Sequence, residues 1–171
     1  MAFQFAYSLI GDGTTVVKDY PLDTAGNYGT GGVKKGDLVF LSSGLLRKTL
    51  AATATGTSLG VLEGQEFLGL VAQGQPYAAT NASLIANAVD TTKNPNGVGK
   101  VRPDKATSVY KVPVRQAGAK QTADNTDIGK ALNIILDGNN DQQVDLNLTT
   151  VPHVKVVDYT PDGKYVFVTI V

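Results

Sequence analysis

The chain has 171 residues, 42% of them hydrophobic and 18% charged, values of a globular protein rather than of a disordered one. Fifteen basic and fifteen acidic residues cancel, which excludes a strong net field steering the molecule onto nucleic acid or an anionic membrane. Cysteine is absent, which excludes disulfides, thiolate metal sites and cysteine nucleophiles.

The opening residues MAFQFAYSLI put Phe3, Phe5, Tyr7 and Leu9 on alternate positions, the period of a strand with one apolar face. Two readings follow. Residues 2–9 are the first strand of the chain's own sheet, or residues 1–12 are an arm whose aromatics contact a partner by adding to its sheet edge. This start lacks the basic and apolar signature of a secretory leader, and no stretch approaches the ~20 apolar residues of a membrane span. The chain is therefore expected to be made and used without export.

Residues 13–171 read as one β-rich domain. A β-branched run at 14–20 leads into the flexible GNYGTGG loop. VKKGDLVFLSSGLLRKTLA then reads as a hairpin, with an apolar run at 38–41, a Ser-Ser-Gly turn, and a return at 45–51. Residues 58–62 and 66–72 make two short strands separated by Glu63-Gly64-Gln65. Over 82–89 a short helix fits, capped at Asn81 with Leu84, Ile85, Ala88 and Val89 on one face. It belongs to a long irregular excursion at 78–106, rich in prolines and turn formers.

Strands resume at 107–115, 131–136 and 142–148. HVKVVDY and KYVFVTIV flank Thr160-Pro161-Asp162-Gly163, where Pro presets φ and Gly supplies a positive φ. The last strand is apolar on both faces and is expected to be central and doubly covered. The fold class is all-β, a small barrel or sandwich of about nine or ten short strands.

Catalytic machinery is not nominated. His153 is the single histidine, so no multi-histidine metal site can form, and a general base would need a partner; a structural or surface role is expected. No GxxxxGK[ST] frame is present. DGNNDQQVDL places Asp137, Asn139 and Asp141 at the first ligand positions of a calcium loop. Gln142 and Leu148 then stand where Gly and Glu are required, so a polar hairpin turn is expected. Glu63 and Glu66 read as solvated carboxylates. No catalytic residue, metal or cofactor is expected.

Charge is unevenly distributed. Seven basic residues against Asp104 fall between 93 and 120, and five aspartates against Lys130 fall between 121 and 145. Lys100, Arg102 and Lys105 on one side, and Asp137 and Asp141 on the other, are candidates for a charge-complementary interface between molecules.

The segments KKGDLVFLSSGLLRKTLA and SLGVLEGQEF, and later TDIGKALNIIL, QQVDLNL and HVKVVDYTPDGKYVFVTIV, resemble the head-decoration (capsid cement) proteins of tailed bacteriophages. The shared pattern is a Gly-Asp turn launching an apolar strand, a return strand and a Gly-Val strand, with a DIGK-like turn before the closing strands. The resemblance covers about half the chain and implies a non-enzymatic virion protein, made in the host cytoplasm. It would sit on the outer capsid surface as a homo-oligomer, with a trimer favoured, and bridge major capsid protein subunits. Nucleic acid and membrane are not among the implied partners. Rival readings are a tail-tube or head-fibre component, and a carbohydrate-binding sandwich using Tyr28, Tyr77 or Tyr110 as stacking platforms.

Overall fold

The structure is a computed structural model and describes residues 3–8, 18–21, 35–67, 70–71, 98–102, 107–139 and 141–171. Among these residues the chain forms twelve strands: β1 (Gln4–Ser8), β2 (Lys18–Pro21), β3 (Leu38–Ser42), β4 (Leu45–Lys48), β5 (Ser58–Phe67), β6 (Leu70–Val71), β7 (Val98–Arg102), β8 (Ser108–Pro113), β9 (Ala131–Leu136), β10 (Gln142–Asp145), β11 (Val154–Tyr159) and β12 (Tyr165–Ile170). One 3-10 turn, Asn125–Asp127, precedes β9. The fold is all-β, and the expected nine or ten strands become twelve.

The strands make two sheets. The first runs β1-β8-β12-β11-β9-β10, the second β2-β7-β5-β3-β4 with β6 on β5. Residues of the second sheet are thus inserted between β1 and β8, which are direct neighbours in the first. The first sheet curls into a half-barrel, so that the end of β8 returns beside β10. There Val114 and Val144 form a parallel bridge, and Arg115 N donates to Val144 O at 2.9 Å.

Alternation divides the apolar side chains between two cores. Tyr110, Val112 and Val114, Leu132 and Ile134, Val154 and Val156, and Val166, Val168 and Ile170 all face the inside of the curl. Val39, Leu46, Leu62 and Val101 fill a second, smaller core. The cross-strand pair Leu38 and Val61 belongs to the first core, while their chain neighbours Val39 and Leu62 belong to the second. Both faces of β3 and β5 are therefore used. A one-residue slip would exchange them, so the register is strongly specified.

Phe3 is buried in the first core, its ring edge-on to Tyr110 with centroids 6.0 Å apart. β1 pairs antiparallel with β8. The N-terminal strand thus lies in the chain's own sheet, the first of the two readings set out for it.

Several expectations are corrected. The two strands at 58–62 and 66–72 are one long β5, and the supposed turn at Gly64 is a register shift against β7, since glycine inside a strand marks a bulge as readily as a turn. The excursion at 78–106 contains β7, which pairs with both β2 and β5; flanking prolines at 95 and 103 obscured a strand this short. β10 stops at Asp145, whose carboxylate accepts from Asn147 N at 2.9 Å and turns the chain. β12 is central, between β8 and β11, but only Val166, Val168 and Ile170 are buried, whereas Tyr165 is exposed. The helix expected over 82–89 lies outside the described residues.

Candidate functional site

Polar side chains in the interior tie the two sheets together. Gln142, at the start of β10, sits in phase with the inward Val144 and is fully buried. Its Oε1 accepts from Leu38 N at 2.6 Å. Its Nε2 donates to Leu38 O at 3.0 Å and to Thr49 O at 2.8 Å. One amide thus satisfies three backbone groups where no water can reach. Lys48 and Asp37 form a wholly buried ion pair, 3.0 Å apart, across the base of β3 and β4.

That pair lies within the second sheet; His153 makes the second tie between the sheets. Its Nδ1 accepts from Ile134 N at 3.1 Å, so the ring proton resides on Nε2, which faces the Thr53 carbonyl oxygen at 2.7 Å. Burial pushes the imidazole pKa below its ordinary value, and the Thr53 carbonyl only partly opposes this. The role is structural, as expected, with both ring nitrogens committed.

Thr53 belongs to the loop of residues 49–57. β4 and β5 flank β3, so this loop crosses over β3. It is pinned at Thr49 by Gln142 and at Thr53 by His153, and folded on itself by Leu50 N donating to Thr53 Oγ1 at 2.9 Å. Between loop and strand lies an open groove of about 400 Å³, lined by Phe40, Leu41, Ser42, Leu50, Thr53 and Thr57 among others. No charged side chain lines it. A second depression, about 360 Å³, lies among Arg115, Gln116, Ile135, Leu136, Asp137 and Gln143.

The two charged stretches meet each other inside one molecule. Arg115 Nη1 contacts Asp145 Oδ2 at 2.6 Å. Lys120 pairs with Asp124 at 3.0 Å and with the buried Asp127 at 2.7 Å, and Lys130 reaches Asp127 at 2.9 Å. Burial pushes the Asp127 carboxyl up, but hydrogen bonds from Lys120 and Lys130 outweigh it and hold the pKa below the usual range. Asp145 behaves likewise, with hydrogen bonds from Asn147 and Arg115 overcoming burial. Asp124, exposed, is lowered to about 2, chiefly by the Thr126 hydroxyl and Lys120. These contacts build the DIGK turn: Asp124 and Asp127 cap one another's backbone, and Gly129 N donates to Val156 O at 2.9 Å.

The remaining candidates distribute as follows. Phe3 is spent in the core; Phe5 and Tyr7 lie in β1, paired with Tyr110 and Val109; Leu9 is outside the described residues. Arg102 Nε bonds Glu63 Oε1 at 2.7 Å, which also removes Glu63 from any carboxylate pair. Lys100 lies in β7, paired with Asp19 and Gly64, and Lys105 is outside the described residues. Asp137 accepts from Asn139 N and Asp141 N, both at 2.8 Å, and from Gln143 Nε2 at 3.3 Å. Asp137 thus closes the hairpin turn, and Asp141, partly buried, lies within that same turn. Tyr110 cannot be a sugar platform, because it is fully buried; Tyr28 and Tyr77 are outside the described residues.

Sequence reasoning missed Gln142, Lys48 and Asp37. The signal was available: Gln142 is in phase with Val144, Lys48 with Leu46, and Asp37 with Val39, each a polar residue on an apolar face. No protein-family model, curated protein or solved structure matches the chain.

Proposed function

We propose that this protein is a bacteriophage capsid decoration protein that binds the outer surface of the assembled head and bridges major capsid protein subunits. The observation that carries the reading is the form taken by the segments bearing the resemblance. Lys35-Gly36 turn into β3, Ser43-Gly44 turn into β4, and SLGVLEGQEF forms β5. DIGK turns into β9, and the closing segment forms β11 and β12. The internal allocation of polar groups supports it too. His153 and Gln142 hold the two sheets together and the Asp37–Lys48 pair is buried within the second sheet, while the groove beside β3 presents an uncharged surface. Such a molecule works through shape and buried area.

Cementing follows from mass action. A protein that binds only the assembled shell stabilises it by its binding free energy, and weak contacts repeated by symmetry sum to a strong effect. The test is co-sedimentation of the purified protein with empty heads of the phage that encodes it. Saturable binding at a fixed number of copies per head supports the proposal. Assembly of the protein alone into tubes or fibres would instead make it a tail-tube or head-fibre component, and binding to a glycan array with none to heads would make it a carbohydrate module.

A further inference from the structure

We propose that His153 is a proton-operated clasp on the loop of residues 49–57: the neutral ring holds the loop against the first sheet, and the protonated ring releases it. The geometry requires the neutral form. Nδ1 is an acceptor for Ile134 N–H at 3.1 Å, while Nε2–H donates to Thr53 O at 2.7 Å. A proton arriving at Nδ1 turns that acceptor into a second donor facing a backbone N–H. The Ile134 bond is lost, and two donors point at each other in a buried site. The ring must then rotate or move toward water, and either motion breaks its bond to Thr53.

The surroundings offer the imidazolium little compensation. The loop of residues 49–57 and strand β9 carry no titratable side chain. The charged groups on the other packed elements are Lys155 and Asp158 on β11, Lys164 before β12, Lys130 before β9, Asp141 and Asp145 about β10, Arg47 on β4, and the buried pair Asp37–Lys48. None of these charges is among the causes acting on the ring, which are burial and the Thr53 carbonyl. What moves is defined as well. The loop retains its Gln142 anchor at Thr49 and loses the one at Thr53, so its outer part swings and the groove beside Phe40 and Leu41 opens. This inference stands apart from the proposed function, since it concerns the fold alone.

One histidine makes the test simple, because the imidazole signals in a ¹⁵N-labelled sample need no assignment. At about pH 7.5 the long-range ¹H–¹⁵N spectrum should report the Nε2–H tautomer, with titration below the ordinary value near 6.5. Amide protection at Thr53 and Ile134, corrected for intrinsic exchange, should fall about tenfold or more along the ring's titration, while Val166, Val168 and Ile170 stay protected. His153→Gln, whose amide can accept and donate without titrating, should abolish the pH dependence of the loop. Ring titration with no change in loop protection would overturn the proposal. So would ring titration only with global unfolding, or a loop transition that persists in His153→Gln.

Discussion

Gln142 and Leu38 lie 104 positions apart and form a closed pair: the side-chain amide of the first accepts from the backbone N–H of the second and donates to its carbonyl. This joins the half-barrel to the inserted sheet much as a further strand would, with one side chain in place of a ladder. Gln142→Leu keeps the volume but takes the partner from Leu38 N and Thr49 O, while Leu38 O keeps its bond from Thr49 N, and should cost about 2 kcal/mol or more. Gln142→Glu should be worse than Gln142→Leu above neutral pH, because it sets a carboxylate oxygen against the carbonyls of Leu38 and Thr49. Denaturant midpoints read both; a Gln142→Leu midpoint equal to wild type would contradict the role given to the amide.

The ring of Phe3 packs edge-on to Tyr110, so the N-terminal strand contributes to the fold itself. Phe3→Ala should cost about 3 kcal/mol, as large-to-small changes at buried aromatics do. Deleting residues 2–9 should destabilise the isolated protein by more, since it also strips β8 of one of its two neighbours. A truncated protein that melts with the full chain would return β1 to the role of an intermolecular arm.

Gly163 and Gly56 both have positive φ, 65° and 75°, but differ in the space around them. A Cβ on Gly163 would lie 2.7 Å from Ala123 O, whereas one on Gly56 meets nothing within 4 Å. Gly56→Ala should therefore cost the backbone term alone, roughly 1–2 kcal/mol. Gly163→Ala should cost clearly more, because Ala123 is held there by its own hydrogen bond to Gly163 O at 2.8 Å. Parallel thermal melts of the two variants give the comparison; equal losses would refute the steric argument.

Stability should fall with acid in two stages. His153 is depressed by burial, so the unfolded chain takes its proton first; the His153 contribution is complete above about pH 6.5 and declines as pH drops below it. Asp127 and Asp145 are depressed as well, with hydrogen bonds overcoming burial. Their contribution is present above about pH 4 and is lost as pH falls through the folded values. Urea midpoints measured from pH 8 to pH 3 should show both declines, and His153→Gln should remove only the first. A flat profile between pH 7 and 5 in the wild type would contradict the burial of a neutral ring.

How much of this was legible depended on whether the signal was local. The hairpin at β3 and β4 and the β11–β12 hairpin with its Pro-Asp-Gly turn were readable, because turn chemistry and period-2 alternation lie within a few residues. β7 was not, since a five-residue strand between prolines is recognised only by its partners β2 and β5. The basic and acidic stretches suggest complementary surfaces between molecules, whereas Arg115 pairs with Asp145 and Lys120 with Asp127 inside one chain. Sequence separation hides that distinction. His153 is the extreme case. Its structural role was foreseeable from its isolation, whereas its bond to Thr53, 100 positions away, depends on how the inserted sheet docks.

The central claim, that the molecule strengthens an assembled shell by contact alone, is tested most directly by calorimetry of heads with and without it. Decorated heads should melt at a higher temperature than bare heads, by an increment that grows with occupancy and saturates when the sites are full. Identical melting of saturated and bare heads would contradict it.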